Sequence, residues 1–301
     1  MIKIAYTNFW SDPRNDRWLS QFISKTIEPV VEVNMHEGPD LLIGSCLGPL
    51  DGSIKNIQAG CKMLFLGENP SRYKPYDDFN LIRKYYDLIV GFRPSLEDSD
   101  VVRFPHWLIY HPGTSVEGDN NIVDHIEREH DANKQHTKTL FATMVARKHP
   151  TDRKISRDIL YDEVSKHGTV SAPAGLVRGN THPIGSTYQD KINFIKQSVY
   201  NVCPENSSYP GYCTEKIFQA AQAGCIPIYW GHDLPERGII NTNKYCFADI
   251  NNKQEMHRSV VDCINNPDKY IQGDFFTKDA KEHVQQMYNN LKMCIFKLVN
   301  K

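Results

Sequence analysis

The chain has 301 residues, a formal net charge of -1, and a composition that is 40% hydrophobic and 24% charged. That length suits two domains of ordinary size or one large one, and that composition suits a soluble globular fold. The near-balance of charge excludes a general attraction to nucleic acid or anionic membrane, so any anion site must be local.

The first residues, MIKIAYTNFW, lack a basic region followed by an apolar segment, so no signal peptide is expected. No window offers roughly 18 consecutive apolar residues, so no spanning helix is expected either. Residues 2–9, 40–47, 62–67 and 87–92 read as short strands. They are apolar on both faces, as in a parallel sheet covered by helices. The stretch 113–137 is rich in charge and poor in bulky residues, which suits a linker or loop with a helical piece. The rhythm then restarts with a strand at 139–146, a helix at 158–166 and a strand at 198–203. After residue 231 come a strand at 245–250 and a helix at 254–264. Val284, Met287, Tyr288, Leu291, Ile295 and Leu298 make a helical stripe over 281–300. Two α/β halves joined by a polar linker follow, at 1–136 and 137–301, with the last helix packing back on the first half. Cys46, Cys61, Cys203, Cys213, Cys225, Cys246, Cys263 and Cys294 form no C-x-x-C pair. They suit reduced core thiols in a reducing compartment, the cytoplasm. Work at a membrane surface stays compatible with such a chain.

The stretch YPGYCTEKIFQAAQAGCIPIYWG, 209–231, carries the chemistry. Thr214 can cap a helix whose first turn holds Glu215 and Lys216. Ile217, Ala220, Ala221 and Gly224 make a small face for close packing on a sheet, and Gly224 suits the helix end. Residues 225–230 return as a strand, with Pro227 expected near its start or edge. A helix N-terminus attracts anions, and Lys216 adds a full positive charge. Glu215 suits two vicinal ribose hydroxyls. A ribose beside a pyrophosphate satisfies both residues, which describes a nucleoside diphosphate. The plain reading, a dipole-favoured Glu next to a surface Lys, competes for the pair taken alone.

The segment ENSSYPGYCTEKIFQAAQAGCIPIYWG, 205–231, resembles the signature of the GDP-fucose-dependent α1,3-fucosyltransferases, glycosyltransferase family 10. FLGENPS (65–71), NLIRKYYDLIVGF, VVRFP and IAYTNFW are similar to family segments in the expected order. The resemblance implies a GT-B fold: two Rossmann-like domains facing across a cleft, the first binding acceptor and the second GDP-fucose. It implies that Glu68, at a strand's carboxyl end, is the general base toward the acceptor hydroxyl. It implies that Arg157, four residues before Tyr161, contacts phosphate, with Arg147, Lys148 or Arg153 as substitutes in a loop that departs from the family pattern. Asn206, Tyr212, Glu215 and Lys216 match donor-site positions, with Glu215 on the ribose, Lys216 on the phosphates, and Asn206 and Tyr212 near the fucose phosphate. Glu205 is expected to support that loop, and Tyr229 and Trp230 to be core residues behind it.

Asp98-Ser99-Asp100 reads as a chance D-x-D in an acidic loop, and the twelve histidines show no zinc spacing. His106 and His111 read as structural or acceptor-side. No metal and no cofactor are expected; GDP-fucose is a co-substrate. Lys216, Arg157 and the helix N-terminus would balance the charge growing on GDP in an inverting displacement. The implied acceptor is a glycan of N-acetyllactosamine type. The heptad repeats of some bacterial members and the membrane stem of animal members are not seen, so a compact soluble form of bacterial or viral type is expected. Two rivals stay open: a GT-B transferase using another nucleotide sugar, whose base reader would be sought in 180–194, and a non-catalytic sugar- or nucleotide-binding module.

Overall fold

The computed structural model of the chain describes residues 1–9, 13–92, 101–147, 156–232 and 236–301. Two compact units divide it: residues 1–122, 209–212 and 281–301 form unit 1, and 123–208 and 213–280 form unit 2.

Unit 1 runs β1 (Ile2–Thr7), α1 (Pro13–Thr26), β2 (Val30–Glu32), β3 (Leu41–Ser45), α2 (Gly52–Asn56), β4 (Cys61–Leu66), α3 (Phe79–Ile82), β5 (Leu88–Gly91), β6 (Val101–Arg103) and α4 (Trp107–Tyr110). The strands form one parallel sheet in the order β2-β1-β3-β4-β5-β6. All of β3 and all but one residue of β4 are buried, as expected of strands covered on both faces. The strand order reverses between β1 and β3, so this is the sheet's switch point.

Unit 2 takes most of α5 (Asn121–Lys134), then β7 (Leu140–Thr143), α6 (Ser156–Val164), β8 (Val170–Ser171), α7 (Tyr188–Ile195), β9 (Ser198–Val202), α8 (Glu215–Gln222), β10 (Ile226–Tyr229), β11 (Cys246–Phe247), α9 (Lys253–Asn265) and α10 (Pro267–Ile271). Its parallel sheet is ordered β8-β7-β9-β10-β11, the same winding as in unit 1, with the switch between β7 and β9. Together the two units are an α/β architecture of paired Rossmann-like sheets. Pro227 is the second residue of β10, and the pairing with β11 starts one residue later, at Ile228. Its missing N–H is therefore not asked for by that neighbour.

The helical piece read into the polar stretch is longer than expected. Of 113–137, residues 121–134 are a 14-residue helix, α5. Its apolar stripe is only Ile122, Val123 and Ile126, too thin to mark a long amphipathic helix. Polar side chains dock it instead: His130 Nδ1 donates to the Ala221 carbonyl at 2.8 Å, and Asn133 Nδ2 to the Gln222 carbonyl at 2.8 Å. These are end carbonyls of α8, and that of Ala221 also accepts the Gly224 N–H.

The last helix, α11 (Ala280–Val299), belongs almost wholly to unit 1. Val284, Tyr288, Leu291, Ile295 and Leu298 are its buried stripe. Tyr288 packs with Trp18, Phe22 and Phe104 at ring separations of 6.3, 6.1 and 5.2 Å.

Candidate active-site residues

Glu205 follows the end of β9 and is fully buried. One carboxylate oxygen accepts the Thr214 N–H at 2.7 Å; the other accepts the Thr214 hydroxyl at 2.7 Å and the Lys216 ammonium at 2.9 Å. Lys216 also donates to the Thr214 hydroxyl at 2.7 Å. Thr214 does stand at the N-cap of α8, but its side chain does not cap. The Glu205 carboxylate takes that hydroxyl, so the expected cap is corrected to a buried acid–threonine–lysine network. A buried carboxylate is tolerable only with such donors around it.

The other end of α8 is held by backbone. Gly224 has φ +63°, and the N–H groups of Gly224 and Cys225 bond the carbonyls of Ala221 and Ala220 at 2.8 and 3.0 Å. This is the Schellman arrangement that glycine favours. A Cβ at Gly224 would come within 2.2 Å of the Lys134 nitrogen in α5. The small residues of the helix thus let two helices meet closely.

Glu215 stands between two cations, with Lys216 Nζ at 4.0 Å and Lys191 Nζ at 3.9 Å. Lys191 comes from α7, whose start is fixed by a capping box between Thr187 and Asp190. Burial pushes its ammonium below the ordinary lysine range; Glu215 opposes that and Lys216 adds to it. Gln219, one turn along α8, is fully buried, and neither atom of its amide has a protein partner. Lys191, Lys216, Gln219 and Asn201 share a hollow with Val145, Ala146 and Cys203. That hollow lies beyond the carboxyl ends of β7 and β9, at the switch point where α/β sheets bind ligands. Lys191 and Gln219 were not singled out from the sequence. Lys191 does fall in the 180–194 segment proposed for base reading, but its register on α7 needed the fold.

Arg157, at the start of α6, donates to the Asn206 side-chain oxygen and to the Arg147 carbonyl, the latter at 2.6 Å. Asn206 adjoins Glu205, so these two groups of residues share one loop after β9. Tyr161 turns elsewhere, its hydroxyl donating to the Val170 carbonyl at 3.1 Å. Lys148 and Arg153, named as substitutes for Arg157, lie outside the described residues, as do Asp98 and Asp100 of the D-x-D.

In unit 1, Glu68 follows β4 and Gly67 and is half-buried. The next residue, Asn69, is buried and accepts from the Ser71 N–H at 3.0 Å and hydroxyl at 2.9 Å, which pins the turn. Tyr212 donates its hydroxyl to Glu68 Oε2 at 3.0 Å. Its buried ring meets Phe92 edge-on at 4.7 Å, and Tyr209 meets the same ring at 5.9 Å. Arg103 donates to the Gly211 carbonyl at 3.3 Å, steadying the segment that carries both tyrosines. So Tyr212 is grouped with Glu68 in unit 1, while Asn206, Glu215 and Lys216 are grouped in unit 2. Beyond β3, the Cys46 thiol is pushed up to about 12, chiefly by burial, with the Glu68 charge adding to it.

Tyr229 and Trp230 are buried core residues, as expected. His106 and His111 are buried too, and His111 Nδ1 accepts the Gly113 N–H at 3.0 Å. All eight cysteines are free thiols. No helix among the described residues is long and apolar enough to cross a membrane.

Two parallel sheets of the same Rossmann-like winding are the architecture of the GT-B fold. No family model matches the chain. It is 27% identical over 274 residues to the α-(1,3)-fucosyltransferase FucT of Helicobacter pylori, which covers 81% of this chain and 54% of that protein. The chain therefore spans about half the length of that relative. A crystal structure of an α1,3-fucosyltransferase superposes with TM-score 0.69 at 20% identity, covering 100% of this chain and 90% of the other. One with GDP-fucose superposes with TM-score 0.63 at 20% identity, covering 98% and 90%. Sequence similarity to an α-(1,3)-fucosyltransferase and the shared fold agree with the motif resemblance.

Proposed function

We propose that the chain transfers L-fucose from GDP-fucose to a hydroxyl, O3, of a GlcNAc residue in a glycan of N-acetyllactosamine type. The observation that carries the reading is Lys216 and Glu215 in the first turn of α8, with Lys191 close to Glu215. Glu215 accepts from the ribose hydroxyls. Lys216 and Arg157 meet the phosphates, aided by the helix N-terminus. Lys191 and Gln219 are the candidates for nucleoside contact, because a polar ligand edge would satisfy the orphaned amide. Asn206 and Tyr212 attend the fucose phosphate.

Glu68 takes the acceptor proton. The hydroxyl oxygen attacks the anomeric carbon as its bond to the GDP oxygen breaks, and the configuration inverts. The cationic groups stabilise the departing diphosphate, so the reaction runs without metal. The free thiols support a reducing compartment, the cytoplasm, with peripheral membrane contact allowed.

The test is GDP release from GDP-fucose in EDTA against GlcNAc- and Gal-GlcNAc-containing acceptors. Acceptor-dependent release is expected. Absence of both release and GDP binding would point to another nucleotide sugar. Lys216→Ala is expected to weaken GDP affinity at least about tenfold, the worth of a charge-assisted contact. An unchanged affinity in that variant would remove the phosphate assignment.

A further inference from the structure

We infer that Glu163, His167 and His257 form a binding site for one zinc-type divalent cation at the meeting of α6 and α9. The site is separate from the donor residues and structural in role. Glu163 is near the end of α6 and only 4% exposed. His167 stands four residues later, in the turn that follows the helix, so both side chains share a face. His257 comes from α9, and its Nδ1 lies 2.7 Å from Glu163 Oε1. The two imidazole rings face each other at 6.0 Å with 28° between their planes. One ligand atom from each residue lies within 4.8 Å of the other two.

A tetrahedral zinc with bonds near 2.0–2.2 Å holds its ligand atoms about 3.4 Å apart. The triad therefore needs only small side-chain turns. Both histidines are exposed, so those turns disturb no packing. Two imidazoles and one carboxylate leave a fourth position for water. That mixed nitrogen–oxygen set favours zinc over calcium or magnesium, which want oxygen shells. Without metal, His257 Nδ1 at 2.7 Å and the Lys166 ammonium at 2.5 Å are the partners of the buried Glu163 carboxylate. Lys166 is 59% exposed and can withdraw into water when a cation takes its place.

The cation would tie the end of α6 to α9. Arg157 stands six residues earlier on α6, about 9 Å along the axis. The bound ion therefore steadies the helix that carries Arg157 and touches no reacting atom.

The experiment titrates the EDTA-stripped full chain with Co²⁺, reading the visible bands of tetrahedral cobalt, then adds Zn²⁺ in competition. One saturable cobalt per chain is expected, displaced by zinc, with no thiolate-to-metal band. His167→Ala, His257→Ala and Glu163→Gln should each weaken binding at least about tenfold. Circular dichroism checks that the histidine variants stay folded, which their exposure favours. Absence of saturable binding, a thiolate band, or unchanged affinity in the folded His257→Ala variant would each overturn the site.

Discussion

Glu68 and Glu205 are both carboxylates placed just past the end of a parallel strand, yet their surroundings differ. Glu205 is fully buried, and its oxygens receive an N–H, a hydroxyl and an ammonium. Glu68 is half-buried, faces the Tyr212 hydroxyl, and sits in an aromatic neighbourhood. A carboxylate saturated by fixed donors holds structure, since losing any partner strands a buried charge. One that keeps solvent access can give and take a proton. Position in the fold is thus shared while burial differs, and this difference suits the proposed roles, Glu205 as scaffold and Glu68 as base.

The sharpest way to break this contrast is Glu68→Gln. Turnover should fall about 10²- to 10⁴-fold while GDP affinity and urea stability hold. Wild-type turnover in that variant would end the division of labour. The converse test is Glu205→Ala, which leaves the Lys216 ammonium and the Thr214 N–H without their acceptor. A loss of about 3–5 kcal/mol in urea unfolding is expected, and a loss below 1 kcal/mol would class Glu205 with surface ion pairs. Gly224→Ala attacks the same helix from its far end. The left-handed backbone costs about 1–2 kcal/mol, and the approach of 2.2 Å to the Lys134 nitrogen adds to it. Urea unfolding again gives the number, and a neutral substitution would mean that α5 moves aside easily.

A further test concerns pH. The thiols of Cys46 and Cys61 are each pushed up to about 12 from 9.0, mainly by burial. The unfolded chain releases these protons near pH 9 while the folded chain keeps them. Their contribution is therefore full below pH 9 and is lost as pH rises toward 12. Stability measured by urea should be level up to pH 9 and decline above it. A decline that starts well below pH 9 would contradict the burial of these thiols.

The strands of unit 1 were legible because both faces of β3 and β4 are apolar, a pattern that needs no partner to recognise. The helix-start pair Glu215–Lys216 was legible too, since a run of small residues and a glycine stop marked α8. Glu205 was legible as a loop support, but its full burial and its donors were not, because they are set by how β9 meets α8. Lys191 reaches Glu215 from 24 positions earlier, and Tyr212 reaches Glu68 across 144. His257 joins Glu163 across 94 positions, so histidine spacing along the chain had no means of showing that cluster. Of helix α5 only a helical piece was legible, because polar docking, which carries no hydrophobic period, holds it to α8.

The buried cysteines have a use of their own. Cys46 and Cys61 lie in unit 1, while Cys203, Cys213, Cys225, Cys246 and Cys263 lie in unit 2, all buried and none in a disulfide. A thiol reagent reaches such a sulfur only when its surroundings open, so labelling rates report local unfolding. Mass mapping of the labelled peptides would time each unit's opening separately within one unmodified polypeptide, with partly exposed Cys294 as the fast internal reference.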